Sequence, residues 1–88
     1  MTPTDAQILH DDAASRDKWP IWTLTDTDLE YPGKVVARAH EADQHGGKLL
    51  PGALVADTLA ELRAMLPTEL TRRDRTSAWP PDVLETWD

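Results

Sequence analysis

The fold of this chain is decided by the stretch WPIWTLT at residues 19–25, which is followed after a short loop by KVVARAH at residues 34–40. Both segments are rich in residues that favour strands. Pro20 is compatible with the beginning of a strand or with an edge. The intervening residues 26–33 consist largely of turn formers and end in Pro-Gly. The two segments are therefore predicted to pair as antiparallel strands.

Alternation of side chains defines two faces on each predicted strand. In the first strand, Trp22 and Leu24 share one face, and in the second, Val35, Ala37 and Ala39 form a small apolar face. The opposite faces carry Ile21, Thr23 and Thr25, and Val36, Arg38 and His40. Because the chain has no phenylalanine, tryptophan must supply bulk to the core, and Trp22 and Trp87 are the predicted core tryptophans.

The clearest helix signal is the sequence TLAE at residues 58–61, which matches the T-x-x-E capping box at the beginning of a helix. An apolar stripe at helical spacing follows. Its members are Leu59, Leu62, Met65 and Leu66. Pro67 cannot continue a helix, so the helix is predicted to end at about Leu66.

The rest of the chain completes a mixed fold. Residues 53–56 are predicted as a short pairing segment, and residues 70–75 and 83–87 as two further strands. Residues 41–48 are predicted as a polar loop because they contain a Gly-Gly pair. The predicted class is α+β, a small antiparallel sheet of four to five strands with one helix packed on one face. Residues 19–88 are predicted to form this single domain, and residues 1–18 a loosely held polar N-terminal arm with at most one helical turn after Thr4.

Charge and composition restrict the classes of partner. The 88 residues carry a formal net charge of -7 at pH 7 and include no cysteine. Such a field repels nucleic acid and anionic membranes and favours basic protein surfaces. The sequence has no secretory signal, no span of about 20 apolar residues and no disulfide framework, so the cytoplasm of a bacterial host is the expected location.

The predicted partner-binding residues are acids in two loops, together with aromatic residues nearby. Carboxylates held a few ångströms apart imitate phosphates toward Arg and Lys side chains. Trp19 and Trp79 each flank a proline and are the predicted exposed anchors, since tryptophan is enriched at binding hot spots. The alternative left open is that the acids form only a solvated coat. The full set is Asp26, Asp28, Glu30, Tyr31, Glu41, Asp43, Trp19 and Trp79.

Catalytic and metal sites have weaker support. The run HEADQH at residues 40–45 lacks the i, i+4 histidine spacing of a metalloprotease helix. A loop could gather His40, Asp43 and His45 around a divalent ion, which leaves a small metal-assisted enzyme as a third hypothesis. The basic residues at 72, 73 and 75 are expected to be neutralised locally. We predict no catalytic residues, no resident metal, no cofactor and no enzymatic activity.

Three blocks carry a resemblance that covers residues 21–87. Residues 22–38 are similar to the pattern W-T-I-x…Y-P-x-K-F-V-x-R, residues 55–63 to V-A-D-T-L-x-E-A-R, and residues 83–87 to V-x-E-x-W. These patterns resemble small uncharacterised proteins of phages and mobile elements. The chain departs from them at Val35, where an aromatic is usual, and at Leu62, where alanine is usual. The resemblance implies a phage or prophage setting, in which small acidic proteins include anti-CRISPR inhibitors, but it brings no catalytic residues.

The leading hypothesis is therefore a non-enzymatic inhibitor of anti-CRISPR type. It would block a basic nucleic-acid-binding surface of a host defence complex by charge mimicry and steric occlusion, without contacting nucleic acid itself. The alternative is a structural or accessory homodimeric domain of a mobile element that pairs through a strand edge. A monomer is compatible with the first hypothesis, whereas the second requires a dimer.

Overall fold

A computed structural model describes residues 1–43, 46–73 and 80–88, which form one antiparallel sheet and two helices. No helix in this part of the chain is both long and apolar enough to cross a membrane. The elements in chain order are α1 (Pro3–Ser15), β1 (Trp19–Thr25), β2 (Val35–Asp43), β3 (Gly46–Leu49), β4 (Leu54–Ala56), α2 (Leu59–Met65), β5 (Arg72–Arg73) and β6 (Val83–Trp87).

The strand order of the sheet is β3-β2-β1-β6-β5, and β4 also pairs with β2. Because β1 occupies one side of β2, β3 and β4 lie one after the other along its opposite side. In the central hairpin, Trp22 lies opposite Ala39 and Leu24 opposite Ala37. The α+β class is confirmed. The described residues contain six strands where four to five were predicted, and two helices where one was predicted.

The core lies on one face of this sheet, which we call the covered face. Trp22 and Leu24 are fully buried there with Ala37, as the alternation predicted. Both helices pack on this face, α1 through Ala6 and α2 through Leu62. Burial of such apolar side chains is the main source of stability in a domain of this size. The covered face therefore contains most of the buried apolar side chains of the described residues.

The N-terminal residues form helix α1, so the predicted loose arm is wrong. Thr2 accepts a hydrogen bond from the Asp5 amide, and the Asp5 carboxylate accepts one from the Thr2 amide, which completes a capping box. Ala6 and Ala13 are buried against the sheet, and the Nδ1 of His10 accepts a hydrogen bond of 3.3 Å from the Trp22 indole. The apolar stripe was missed because it consists mainly of alanine, whose small side chain gives little periodic signal.

The predicted loop at residues 41–48 is also wrong, because most of it belongs to strands. Strand β2 continues to Asp43, and β3 begins at Gly46, so the two strands form a hairpin. Glu41 lies opposite Lys48 in this hairpin. Continuing the alternation of β2 through Ala39 places Glu41 on the covered face, where it is buried beside the end of α1. Glycine weakens strands, but pairing with β2 overrides that preference here.

The second face of the sheet, which we call the open face, has neither helix packed on it. In β1 it presents Trp19, Ile21, Thr23 and Thr25, which alternate with the buried residues of that strand. In β2 it presents Arg38 and His40 opposite Thr23 and Ile21, and Leu49 of β3 lies next to His40. Val36 of β2 lies opposite Thr25 on this face and is buried. Helix α2, by contrast, begins at the predicted cap, where Thr58 accepts a hydrogen bond from the Glu61 amide.

Candidate functional site

A groove of about 510 Å³ lies on the open face, between the strands and the loop formed by residues 26–34. Thr23, Thr25 and Thr27 contribute hydroxyl groups to it, and Leu29 and Leu49 contribute apolar surface. Three acids also line the groove. These are Asp28, Glu30 and Asp82. The groove therefore combines carboxylates with apolar and hydroxyl surface, a mixture suited to binding a side chain that is apolar along its stem and cationic at its tip.

Arg38 holds the loop 26–34 against the sheet. Its Nε donates to Asp28 Oδ2 at 2.7 Å and its Nη2 donates to Asp28 Oδ1 at 3.2 Å, which is a bidentate pair. The same guanidinium lies 3.4 Å from a Glu30 oxygen and 5.9 Å from the centre of the Tyr31 ring. Hydrogen bonds from Arg38 lower the pKa of Asp28, and Asp28 in turn raises the pKa of Arg38. One side chain of the sheet thus fixes three residues of the loop.

The acids of this loop consequently have different roles. The Asp28 side chain is only 12% exposed and is occupied by Arg38 and by the Glu30 amide, so it positions the loop. The Glu30 side chain is 72% exposed, and Asp26 is also exposed. Of the predicted acids in this loop, Asp26 and Glu30 are therefore the ones presented to solvent.

Glu41 does not belong to this surface, and its predicted loop position facing a partner is wrong. It is buried on the covered face, where its carboxylate accepts a hydrogen bond from Arg16 at the end of α1. That contact lowers the pKa of Glu41. Its charge is therefore balanced within the fold. The side chain of Asp43 and the whole of Trp79 lie outside the described residues.

Asp82 is a groove residue that sequence reasoning missed. It precedes β6, and the pairing of β6 with β1 places it beside the loop 26–34, where the Thr27 hydroxyl donates to its carboxylate at 3.1 Å. Thr27 and Asp82 are 55 positions apart in the chain. Only the order of the strands in the sheet brings them together, and the sequence pattern did not define that order.

Exposed apolar side chains lie on the open face near the beginning of β1, and one of them, Leu49, also lines the groove. Trp19 is 59% exposed and Leu49 is 63% exposed. The half-buried Ile21 and His40 lie opposite one another in β1 and β2, and His40 lies opposite Leu49 of β3. We call Trp19, Ile21 and Leu49 the apolar end. The predicted exposure of Trp19 is confirmed. Exposed tryptophan and leucine next to a groove are typical of protein-binding surfaces.

The residues considered for metal or nucleic-acid binding are not assembled in the described part of the chain. There, no three histidine or acidic side chains are grouped so that they could hold a metal ion. His40 lies on the open face, but the Asp43 side chain and His45 are outside the described residues, so the metal hypothesis remains untested. Of the basic cluster, Arg72 contacts Glu85 and Arg73 contacts Asp88, which supports local neutralisation.

The arrangement described above is a sheet face without a helix, whose groove combines acids with the exposed apolar side chains of Leu29 and Leu49. Comparison with known proteins adds nothing to it. No protein-family model matches the chain, and no curated protein or solved structure matches it either.

Proposed function

We propose that this protein is a non-enzymatic binding domain whose open face engages a basic surface of a partner protein. The observation that carries the proposal is the asymmetry of the sheet. Both helices pack on one face, and the other face is left with a groove bordered by Glu30 and Asp82. A sheet face without a covering layer exposes apolar surface, and such surface commonly marks an interaction site.

Charge supports a basic partner. Arg38 is the cation that lines the described groove, and its charge is balanced by the bidentate pair with Asp28. Glu30 and Asp82 then leave the rim with a negative excess, in a chain whose formal net charge is -7. A negative rim on a negative protein accelerates encounter with cationic surfaces and disfavours nucleic acid.

Inhibition of a host defence complex is the specific form of this role that the sequence resemblance implies. In that form, the rim acids would occupy the place of phosphates in a basic nucleic-acid groove, and the body of the domain would block access to it. Trp19 and Leu49, exposed on the open face, favour a homodimer as the second candidate, one that buries this face instead of pairing through a strand edge. Measuring the mass in solution at low and high salt distinguishes the two candidates. A homodimer brings together two chains of like charge, so salt that screens their repulsion should favour it.

The proposal is tested with defined probes. A Lys/Arg-rich peptide is expected to bind the protein, with affinity falling at least about tenfold between ~50 mM and ~500 mM salt, because the interaction is electrostatic. The same peptide with Glu in place of each basic residue, and a short DNA duplex, are expected not to bind. Equal binding of the acidic peptide or of DNA would overturn the proposal.

Two double variants distinguish the contribution of the rim charges to binding from the contribution of the total charge. Glu30→Gln with Asp82→Asn removes two charges from the rim, and Asp11→Asn with Glu69→Gln removes two exposed charges from the helix side. The rim variant is expected to weaken binding of the basic peptide about tenfold, and the helix-side variant about twofold at most. Equal losses would show that the protein attracts the peptide only through its overall charge.

A further inference from the structure

We infer that the groove on the open face takes one long cationic side chain of the partner, an arginine or a lysine, with its apolar stem against two leucines and its charge at the rim acids. The inference rests on the proposed function and deepens it, because it names a single inserted side chain as the unit that is recognised. Three features of the described residues carry it, which are the mixed lining of the groove, its size and fixed walls, and the acceptors that the fold leaves available.

The lining of the groove mixes apolar and acidic side chains. Leu29 is 97% exposed and lines the groove together with Leu49, and the same groove is lined by Glu30 and Asp82. An apolar ligand would cover carboxylates without pairing them, which costs free energy. A small cation would leave the leucines in contact with water. A long cationic side chain satisfies both, since its methylene stem packs on apolar surface while its charged end stays at the polar rim.

The size of the groove and its fixed walls suit a single side chain. Its volume of about 510 Å³ lies within the range of about 300–1,000 Å³ that is typical of pockets for small ligands. The loop 26–34 borders the groove and is tied to the sheet at two points. Arg38 of β2 holds Asp28, and Asp82, directly before β6, accepts a hydrogen bond from the Thr27 hydroxyl. Because these ties exist without a ligand, little ordering has to accompany binding.

The fold leaves two of the lining acids able to accept hydrogen bonds from a partner. Asp28 is occupied, because both of its oxygens accept from Arg38. The Glu30 side chain is 72% exposed, and its oxygen lies 3.4 Å from Arg38, beyond the length of about 2.7–2.9 Å of a charge-assisted hydrogen bond. Asp82 Oδ2 accepts from Thr27, and a carboxylate has further lone pairs. A cationic group in the groove can therefore pair with carboxylates from two separate segments of the chain.

Four peptides of the form Gly-Gly-X-Gly-Gly, blocked at both ends, separate the stem from the charge. X is arginine, lysine, citrulline or an arginine analogue whose stem has one methylene in place of three. Citrulline keeps the stem without the charge, and the short-stem analogue keeps the charge without most of the stem. The tighter-binding of the arginine and lysine peptides is expected to exceed both controls about fivefold, because each control loses one of the two contacts.

Backbone NMR titration provides the measurement. The signals of residues 25–30, Leu49 and Asp82 are expected to shift, because these segments border the groove. The titrations are made at about pH 7.5, where histidine is ordinarily neutral, because His40 also lines the groove.

Matched variants test whether the leucines hold the stem. Leu49 on the open face and Ile8 on α1 have the same exposure, 63%. Leu49→Ser is expected to weaken binding of the arginine peptide about threefold and to leave the short-stem peptide unchanged, so that the difference between the two peptides shrinks. Leu29→Ser is expected to act in the same way, whereas Ile8→Ser should preserve the full difference. Thermal unfolding of each variant confirms that it is folded before binding is measured.

The outcomes distinguish this inference from the proposed function. If the citrulline or the short-stem peptide binds as tightly as the arginine and lysine peptides, or if Leu49→Ser weakens the arginine and short-stem peptides equally, the inference is overturned. The basic-partner proposal then still stands on the salt-dependent binding of the Lys/Arg-rich peptide. If that peptide binds but none of the short peptides shifts the signals of the groove, its charges act collectively and the inference is again overturned alone. If the Lys/Arg-rich peptide does not bind either, both proposals are overturned.

Discussion

The two faces of the sheet differ in how they treat polar side chains. On the covered face, the buried acids Glu41 and Glu85 each contact an arginine, and their carboxylates are satisfied within the fold. On the open face, Arg38 and Asp28 satisfy one another, whereas Glu30 remains exposed. The covered face holds both helices and the main core, whereas the open face holds the buried Val36 and the Arg38–Asp28 pair that fixes the loop. The remaining surface of the open face carries exposed acids and apolar residues.

Glu85 is the most heavily used polar side chain of the covered face. Its carboxylate accepts hydrogen bonds from Arg63 of α2 at 2.9 Å, from Arg72 at 3.2 Å and from the Trp87 indole at 3.0 Å. These contacts, above all those from Arg63, lower its pKa to about 2. In the described residues, every buried side-chain nitrogen and oxygen has a hydrogen-bond partner. Removing a partner from such a network costs more than removing an exposed charge.

The largest expected effect is loss of the buried tryptophan. Trp22→Ala should reduce the free energy of unfolding by about 3–5 kcal/mol, because it leaves a cavity and removes the indole that donates to His10. That is a large part of the total stability of a domain of this size. Thr23→Ala, the adjacent residue on the open face, should change it by less than about 0.5–1 kcal/mol. Urea unfolding followed by circular dichroism measures both, and comparable losses would contradict the division between the faces.

The next effect is acid sensitivity from Glu85. Because its pKa is about 2 in the folded protein and ordinarily 4.5, it adds stability that is complete above pH 4.5 and is lost as the pH falls from 4.5 through 2. Its arginine partners are partly exposed, so we expect a loss of about 2 kcal/mol over that range. Glu85→Gln should be less stable at pH 7 and show a flatter dependence below pH 4.5. If the stability of the variant falls as steeply below pH 4.5 as that of the unaltered protein, other carboxylates are responsible for the loss.

A smaller pH effect is expected from His10. Burial lowers its pKa, although Asp11 beside it acts in the opposite direction, and its neutral Nδ1 accepts the Trp22 hydrogen bond. Stability is therefore complete above the ordinary histidine pKa of 6.5 and declines as the pH falls below it. Glu69 lines the same cavity as His10 and is the other nearby acid. Hydrogen exchange of the α1 amides at pH 7 and pH 5.5 should show faster opening at the lower pH, and His10→Gln should remove that difference.

The smallest effect is expected at the apolar end. Leu49→Ser should change the free energy of unfolding by less than about 0.5 kcal/mol, because this side chain is mostly exposed. Chemical denaturation beside the unaltered protein provides the measurement. A loss above about 1.5 kcal/mol would mean that Leu49 supports the hairpin of β2 and β3, and that its exposure has a structural cause.

Sequence patterns predicted the parts of the fold that depend on local spacing. The alternation around Trp22 placed the core face of β1, and the Thr58 cap placed the beginning of α2. Helix α1 was missed because its contact stripe depends on Ala6 and Ala13, which give a weak apolar signal. Strand β3 was missed because the Gly46-Gly47 pair indicated a turn, whereas pairing with β2 determined the outcome.

The candidate site was less accessible to sequence reasoning. Trp19 and Glu30 were identified correctly as exposed, since their local contexts suffice for that. Asp28 was correctly placed in the loop, but its pairing with Arg38 depends on the loop folding back over the sheet. Asp82 reaches the groove only through the pairing of β1 with β6. Contacts between distant segments follow from topology, which the spacing of residues along the chain does not encode.

The interrupted border of the sheet has a consequence for the behaviour of the protein at high concentration. Long, regular border strands offer a template on which copies of a protein add one after another and build fibrils. Here the border formed by β3 and β4 is divided, with Pro51 and the exposed Lys48 beside the division. An incoming copy would therefore find a broken row of main-chain groups along this border, which limits the growth of fibrils there.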